Sequence, residues 1–488
     1  MKKYFTNNII FIFIILICFN RVNTAQTKST RTLSFYKQQL NFNYSNLYNY
    51  KNKTLESLRD SLNPRSSIFL PFAEVLGLNF SIGSVNAYIS KSDFAQISWS
   101  SIKSNFRHGF GWDGDTFVTN MFGHPYHGSM MFSNGRANGY NYFESMGFAA
   151  FGSWQWEYFM EIEPPAINDW IMTSVSGSML GEMLYRFSNF LIDESASGSE
   201  RIFRELGAFA VDPWRGFNRL IHGRMFRHSD RNIYYHPKVN IGFLTLGMNR
   251  VYDGTNFLKG KSNLMLEINY IYGNPFATKH RKPFDHFEFN IGINFYNQNL
   301  VGYIYSDALL YGKLIKYKHR QRLLVGIFQH YDYINTTIYE VGGTGVGLGL
   351  IYKFPATNGA EFFMRLHIGF LLMGGASSLY ALDVHIPGVY ERRNYNLGSG
   401  LMGKFESRLF VKRWTVYIGY LIYWVNTFSG VPGDELTGLI KPKIFYRLSS
   451  NWAVGFEFLF YHRWGIYRNH PNVFKRNIEN RFFVGFFF

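Results

Sequence analysis

Two histidines three residues apart, His124 and His127 in "GHPYHGSMMF", lie between Asp113 and Asp115 upstream and Glu157, Glu161, Glu163 and Asp169 downstream. Imidazole nitrogens and carboxylate oxygens can together ligate a divalent metal ion. A histidine oriented by a carboxylate can instead work as a general base or acid on a lipid ester or amide. The candidates for either chemistry are His124, His127, Asp113, Asp115, Glu157 and Glu161. A third reading is structural, with the same polar groups tying helices together through buried hydrogen bonds. Pro125 permits a regular helix here only in its first turn, so the spacing does not by itself bring both rings to one point. No cofactor motif is present. "GGTGVGLGL", residues 342–350, lacks the Gly-Lys-Ser/Thr of a phosphate loop, and no nucleophile elbow, zinc-protease helix or dinucleotide fingerprint occurs.

The elements that must position these residues follow from the pattern around them. Residues 1–25 have a basic start at Lys2 and Lys3, a short apolar run and Ala25 before a polar stretch, the form of a secretory signal peptide. Residues 26–66 are polar and without sustained period, and read as a tether. Residues 67–226 turn helical and hold the candidates. Ala166 to Leu191 is expected to be one helix, capped by Asn168 or Asp169. Its Ser174, Ser178 and Gly181 form a small-residue stripe on which another helix can sit closely. Glu182 and Arg186, four apart, can pair on one face, worth a few tenths of a kcal/mol if that face is exposed.

The order of motifs in this region resembles a known family. Trp112, Asp113, Asp115, Phe117 and Asn120 are followed by His124, Pro125, Tyr126, His127 and Gly128. Arg136, Asn138, Gly139 and Glu144 come next, then Trp156, Glu157, Glu161, Asn168, Asp169, Gly181, Glu182 and Arg186, and later Asp212, Pro213, Asn218 and Arg219. Over roughly residues 70–226 this series is similar to the family "domain of unknown function 3943". That resemblance implies an exported, outer-membrane associated bacterial protein and no assigned activity.

The remainder, residues 232–488, alternates. In "FEFNIGINF", Phe287, Phe289, Ile291, Ile293 and Phe295 share one face, and Glu288, Asn290, Gly292 and Asn294 the other. Lipid outside and water inside require this dyad pattern of a transmembrane barrel. Hydrophobic residues make up 47% and aromatics 19% of the chain, yet no exported segment offers the ~20 apolar residues of a membrane helix. The expected fold is a transmembrane antiparallel β-barrel of about twelve strands with an N-terminal α-helical domain. In "GGTGVGLGL" Gly343, Gly345, Gly347 and Gly349 share one face, a bare track on which another backbone or a ligand could lie. "RFFVGFFF", ending at Phe488, resembles the signal read by the barrel assembly machinery.

A net charge of +17 in an exported chain without a recognition helix points to anionic outer-membrane lipids and lipopolysaccharide as partners, and away from nucleic acid. The lumen-phase residues mix both signs, which argues against a wide pore. An even strand count puts both barrel ends in the periplasm, and with them the helical domain at the periplasmic mouth. The function that emerges is non-enzymatic, in envelope architecture or in binding or passage of a lipid-like molecule. A lipid-modifying hydrolase or deacylase using the His/Asp/Glu cluster is the alternative.

Overall fold

A computed structural model describes residues 65–230, 232, 239–254, 256–277, 283–295, 300–316, 321–355, 360–381 and 393–488. The expected signal peptide and all but the last two residues of the expected tether lie outside the described residues. The chain divides into two compact units. One is helical. The other contains the strands together with Gly114–Gly123, a stretch that the sequence reading had assigned to the helical domain.

The helical unit contains α1 (Phe69–Ser84), α2 (Trp99–His108), α3 (His124–Ala137), α4 (Tyr142–Phe159), α5 (Ile167–Ile171), α6 (Gly177–Leu191), α7 (Gly198–Val211) and α8 (Pro213–Ile221). Local chemistry sets several of the starts. Asn141 and Glu144 form a reciprocal capping box on α4, and Asp212 caps α8 with Pro213 just inside. Pro125 lies just after the wider π-helical turn Thr119–Gly123 that runs directly into α3, so its missing N–H falls where the helical ladder is already irregular.

The expected single helix over 166–191 runs without a break from Ile167 to Leu191, as α5, a wider π-helical stretch Met172–Ser176, and α6. Neither Asn168 nor Asp169 caps it; both are buried inside its first turn. The small-residue stripe does receive a helix. A Cβ on Gly128 of α3 would lie 1.9 Å from the Thr173 carbonyl oxygen, and one on Gly177 would lie 2.7 Å from the Gly128 Cα. Backbone meets backbone at this crossing, so only glycine fits. Glu182 is fully buried, not on a surface, and pairs with Arg136 at 2.7 Å and Arg186 at 2.8 Å.

Twelve antiparallel strands close into a barrel: β1 (Asn240–Asp253), β2 (Asn256–Tyr272), β3 (Phe287–Asn294), β4 (Val301–Lys316), β5 (Arg322–Asn335), β6 (Glu340–Pro355), β7 (Ala360–Ser377), β8 (Tyr395–Val411), β9 (Trp414–Ser429), β10 (Gly433–Arg447), β11 (Trp452–Tyr467) and β12 (Val473–Phe487). β12 pairs with β1, with Phe486, Val484 and Phe482 opposite Leu244, Leu246 and Met248. This pairing removes the sheet edge that hydrocarbon would not tolerate. Leu246, Met248, Leu348, Ile368, Phe370 and Phe482 are exposed on the outside, while Glu267, Arg365, Lys404 and Glu457 are buried on the other phase.

The glycine track is covered by its neighbours. A Cβ on Gly345 or Gly347 would meet the β7 carbonyl oxygens of Phe370 or Ile368 at 2.2 and 2.3 Å, and Phe328 and His367 lie over Gly349. The adjacent strands themselves make the close approach.

Two charged layers cross the lumen. In one, Arg365 of β7 reaches Asp307 of β4 at 3.0 Å, Glu288 of β3 at 2.9 Å and Glu406 of β8 at 3.2 Å. Beside it Lys404 of β8 bonds Asp332 of β5 at 2.7 Å. In the other, Lys443 of β10 sits 3.2 Å from both Glu267 of β2 and Glu457 of β11, and Arg481 of β12 joins Glu267, Glu457 and Glu479. Each charge is met by an opposite one, which is what allows it to be buried. An apolar layer including Tyr339, Val341, Leu371, Tyr423 and Leu439 adds to this filling.

Candidate functional site

α3, α4 and α5 bring part of the predicted cluster together. His124, the first residue of α3, places its Nε2 3.3 Å from Oδ1 of Asp169 on α5. Glu157, near the end of α4, completes a buried trio in which one ligand atom from each residue lies within 4.8 Å of the others. The Ala166 N–H donates to Glu157 Oε2 at 2.9 Å. Asn168 Nδ2 donates to Asp169 Oδ1 and to Asp113 Oδ1, both at 2.7 Å, which connects Asp113 to the trio.

The other candidates go elsewhere. His127 turns to Asn79, its Nε2 3.1 Å from Oδ1, and stacks edge-on against Trp156. The two histidines therefore do not converge on one ligand. Glu161 accepts a hydrogen bond from Trp156 Nε1 at 2.5 Å. Asp115 belongs to the barrel unit, where its carbonyl oxygen accepts from the Tyr395 hydroxyl at 3.0 Å. Asp169, outside the set of six candidates, is the partner that His124 actually has. Its signal lay in the motif series and in the Pro164-Pro165 turn, after which an Asn-Asp pair looks like a cap until its burial is known.

Burial, followed by the Glu161 and Asp169 carboxylates, raises Glu157 well above the ordinary carboxylate range, with His124 and the Ala166 N–H pulling the other way. Burial, with a smaller push from His124, lowers His127 to about 3. A neutral His127 suits a hydrogen-bonding role in the helix packing. A histidine beside two carboxylates, one of them protonated with ease, can hold a cation or relay a proton.

Residues 109–214 match the family model "Domain of unknown function (DUF3943)". Over that stretch the chain is similar to the family. The match is shorter than the span of roughly 70–226 read from the sequence, and Asn218 and Arg219 fall beyond it. Within the matched stretch the motif residues are mostly internal ties. Gly128 makes the helix crossing, Arg136 and Arg186 neutralise Glu182, and Asp212 caps α8 while accepting from Ser133 Oγ at 2.6 Å.

The DUF3943 stretch Gly114–Gly123 is bound within the barrel unit. Phe117 stacks on Tyr333 and meets Tyr395 edge-on, at centroid distances of 5.7 and 5.4 Å. Asn120 Nδ2 donates to the Tyr395 hydroxyl at 2.6 Å, and the Tyr331 hydroxyl donates to the Met121 carbonyl oxygen at 2.7 Å. These partners come from the end of β5 and the beginning of β8.

Among solved structures, the barrel is similar to the NanC porin, at 10% identity and TM-score 0.27, covering 49% of this chain and 98% of that one. It is also similar to the outer-membrane channel DcaP of Acinetobacter baumannii, at 8% identity and TM-score 0.23, covering 51% and 96%. A third is a Pseudomonas aeruginosa FadL homologue, at 9% identity and TM-score 0.23, covering 51% and 90%. The assignment of a barrel rests on the strand pairing itself. No curated protein matches the sequence.

Proposed function

We propose that this is an outer-membrane barrel that serves envelope architecture and runs no open pore. The observation that carries the reading is the pair of ion-paired layers across the lumen, where Arg365 and Lys443 each bind carboxylates from several strands. Moving an ion through them would expose buried charges whose partners are already committed. Purified protein in planar bilayers should therefore give no sustained ion current. A steady porin-like conductance would overturn the reading. Binding or gated passage of a lipid-like molecule is the second form of the same role, and the outward apolar faces supply lipid contact. Lipopolysaccharide, and the assembly machinery reading the strand that ends near Phe488, are the partners that go with it.

The lipid-hydrolase alternative draws on the His124–Asp169 pair and the raised Glu157. Mass spectrometry of outer-membrane lipids from cells lacking the protein separates the two. A species that changes, and that a folded His124→Ala variant fails to restore, would favour the enzyme.

Gly114–Gly123 binds at the rim where β5 turns into β6 and β7 into β8, opposite the rim at which β1 starts and β12 ends. An even strand number makes the β1/β12 rim periplasmic in an outer-membrane barrel. On that basis this stretch seals the outward mouth.

A further inference from the structure

We propose that His124, Glu157 and Asp169 form a binding site for a divalent first-row transition-metal cation. The inference concerns the helical unit and does not depend on the barrel being closed. Geometry comes first. Metal bonds of about 2.0–2.1 Å at a tetrahedral angle put neighbouring donors about 3.4 Å apart, and His124 Nε2 is 3.3 Å from Asp169 Oδ1. The third donor, from Glu157, lies within 4.8 Å of both, so a small inward adjustment closes the set.

The donors arise from three different helices, each rigidly held. His124 opens α3, whose glycine crossing fixes it against the stretch after α5. Glu157 is anchored by the Ala166 N–H, and Asp169 by the Asn168 side chain. Asn168 is itself tied to Asp113 at 2.7 Å. Hydrogen bonds that orient ligating carboxylates in this way are a regular part of metal sites.

Electrostatics points the same way. Two carboxyl groups, 2% and 3% exposed, each place an oxygen within 4.8 Å of one imidazole and of each other. Like charges this close are costly in a low dielectric, and a divalent cation removes the repulsion. The mixed nitrogen and oxygen donors suit zinc or manganese over softer ions. Three protein donors leave coordination positions for water. His127, three residues along the helix, is excluded because its Nε2 faces Asn79.

The test uses the full-length protein in detergent, stripped with chelator, reloaded with Zn2+, Mn2+ or Co2+, and dialysed. Metal content by mass spectrometry should show a single ion per chain. Glu157→Gln and Asp169→Asn should each weaken binding by about tenfold or more, Asn168→Ala by about 10- to 100-fold, and His127→Ala should leave stoichiometry unchanged. Retention of the ion by a folded Glu157→Gln, Asp169→Asn double variant would mean an adventitious ion only and would overturn the proposal. Should those variants fail to fold, the unaltered chain decides the matter. Co2+ should give a visible ligand-field band and raise the melting temperature, and absence of both overturns the site.

Discussion

Asp212 shows how a motif residue can be structural and still titrate. Burial raises its carboxyl from 3.8 to about 6, although Ser133, Arg215 and the Arg215 N–H favour the charged form. A folded-state pKa above the unfolded one means that the native chain binds the proton more tightly. The stability it contributes is full below about 3.8 and is lost as pH rises through about 6. His127 runs the other way. Its pKa is lowered from 6.5 to about 3, so its contribution is full above 6.5 and is lost as pH falls towards 3. The two partly cancel on acidification. Asp212→Asn keeps a capping oxygen but removes one of the buried carboxyls, Glu157 being another, that offset the His127 effect on acidification. The melting temperature of that variant should fall more steeply between about pH 6.5 and pH 4 than that of the unaltered chain. Equal slopes would show that Asp212 does not titrate in this window. The six candidates do not all gather at one point for one physical reason: a side chain's rotamer and burial choose its partner, and spacing does not report either. His127 and His124 share a helix and a spacing, yet one faces Asn79 and the other Asp169.

At the scale of the element, the crossing of α3 over the stretch after α5 is set by glycine. Gly128→Ala would drive a methyl group into the Thr173 carbonyl oxygen. It should destabilise the helical unit by about 1–3 kcal/mol or prevent its folding. Gly147 of α4 is the control, because a Cβ there has nothing within 4 Å. Gly147→Ala should stabilise by up to about 1 kcal/mol through helix propensity. Denaturation that shifts both variants in the same direction would refute the crossing as the cause. The small-residue stripe made this contact partly legible, since Gly181 and Ser178 sit on its face. The π-helical stretch Met172–Ser176 was not legible, because apolar periodicity does not distinguish a widened turn from an ordinary one.

For the whole molecule, sidedness is the open prediction. Cys18 is the chain's single cysteine, and it lies in the expected signal peptide, so introduced cysteines report cleanly. With the β1/β12 rim in the periplasm, an impermeant maleimide should label Asn472→Cys, between β11 and β12, on intact cells. Ser450→Cys, between β10 and β11, should react only after the outer membrane is permeabilised. The reverse pattern would invert the barrel. Lys103→Cys, on α2 and contiguous in sequence with the segment that leads to Gly114, then reads the side of the helical domain directly.

The twelve strands, their alternation and their closure were determined by the sequence, because lipid and water impose opposite demands on successive residues and every strand carries both. The motif series likewise marked out the DUF3943 stretch. Only the tertiary structure decided which acids meet His124, and which part of the motif series joins the barrel. Phe117, Asn120 and Met121 look like one more apolar helical turn, and their partners Tyr331, Tyr333 and Tyr395 lie more than two hundred residues away. A contact of that range leaves no local period, since it depends on where the strands end and not on the residues beside it.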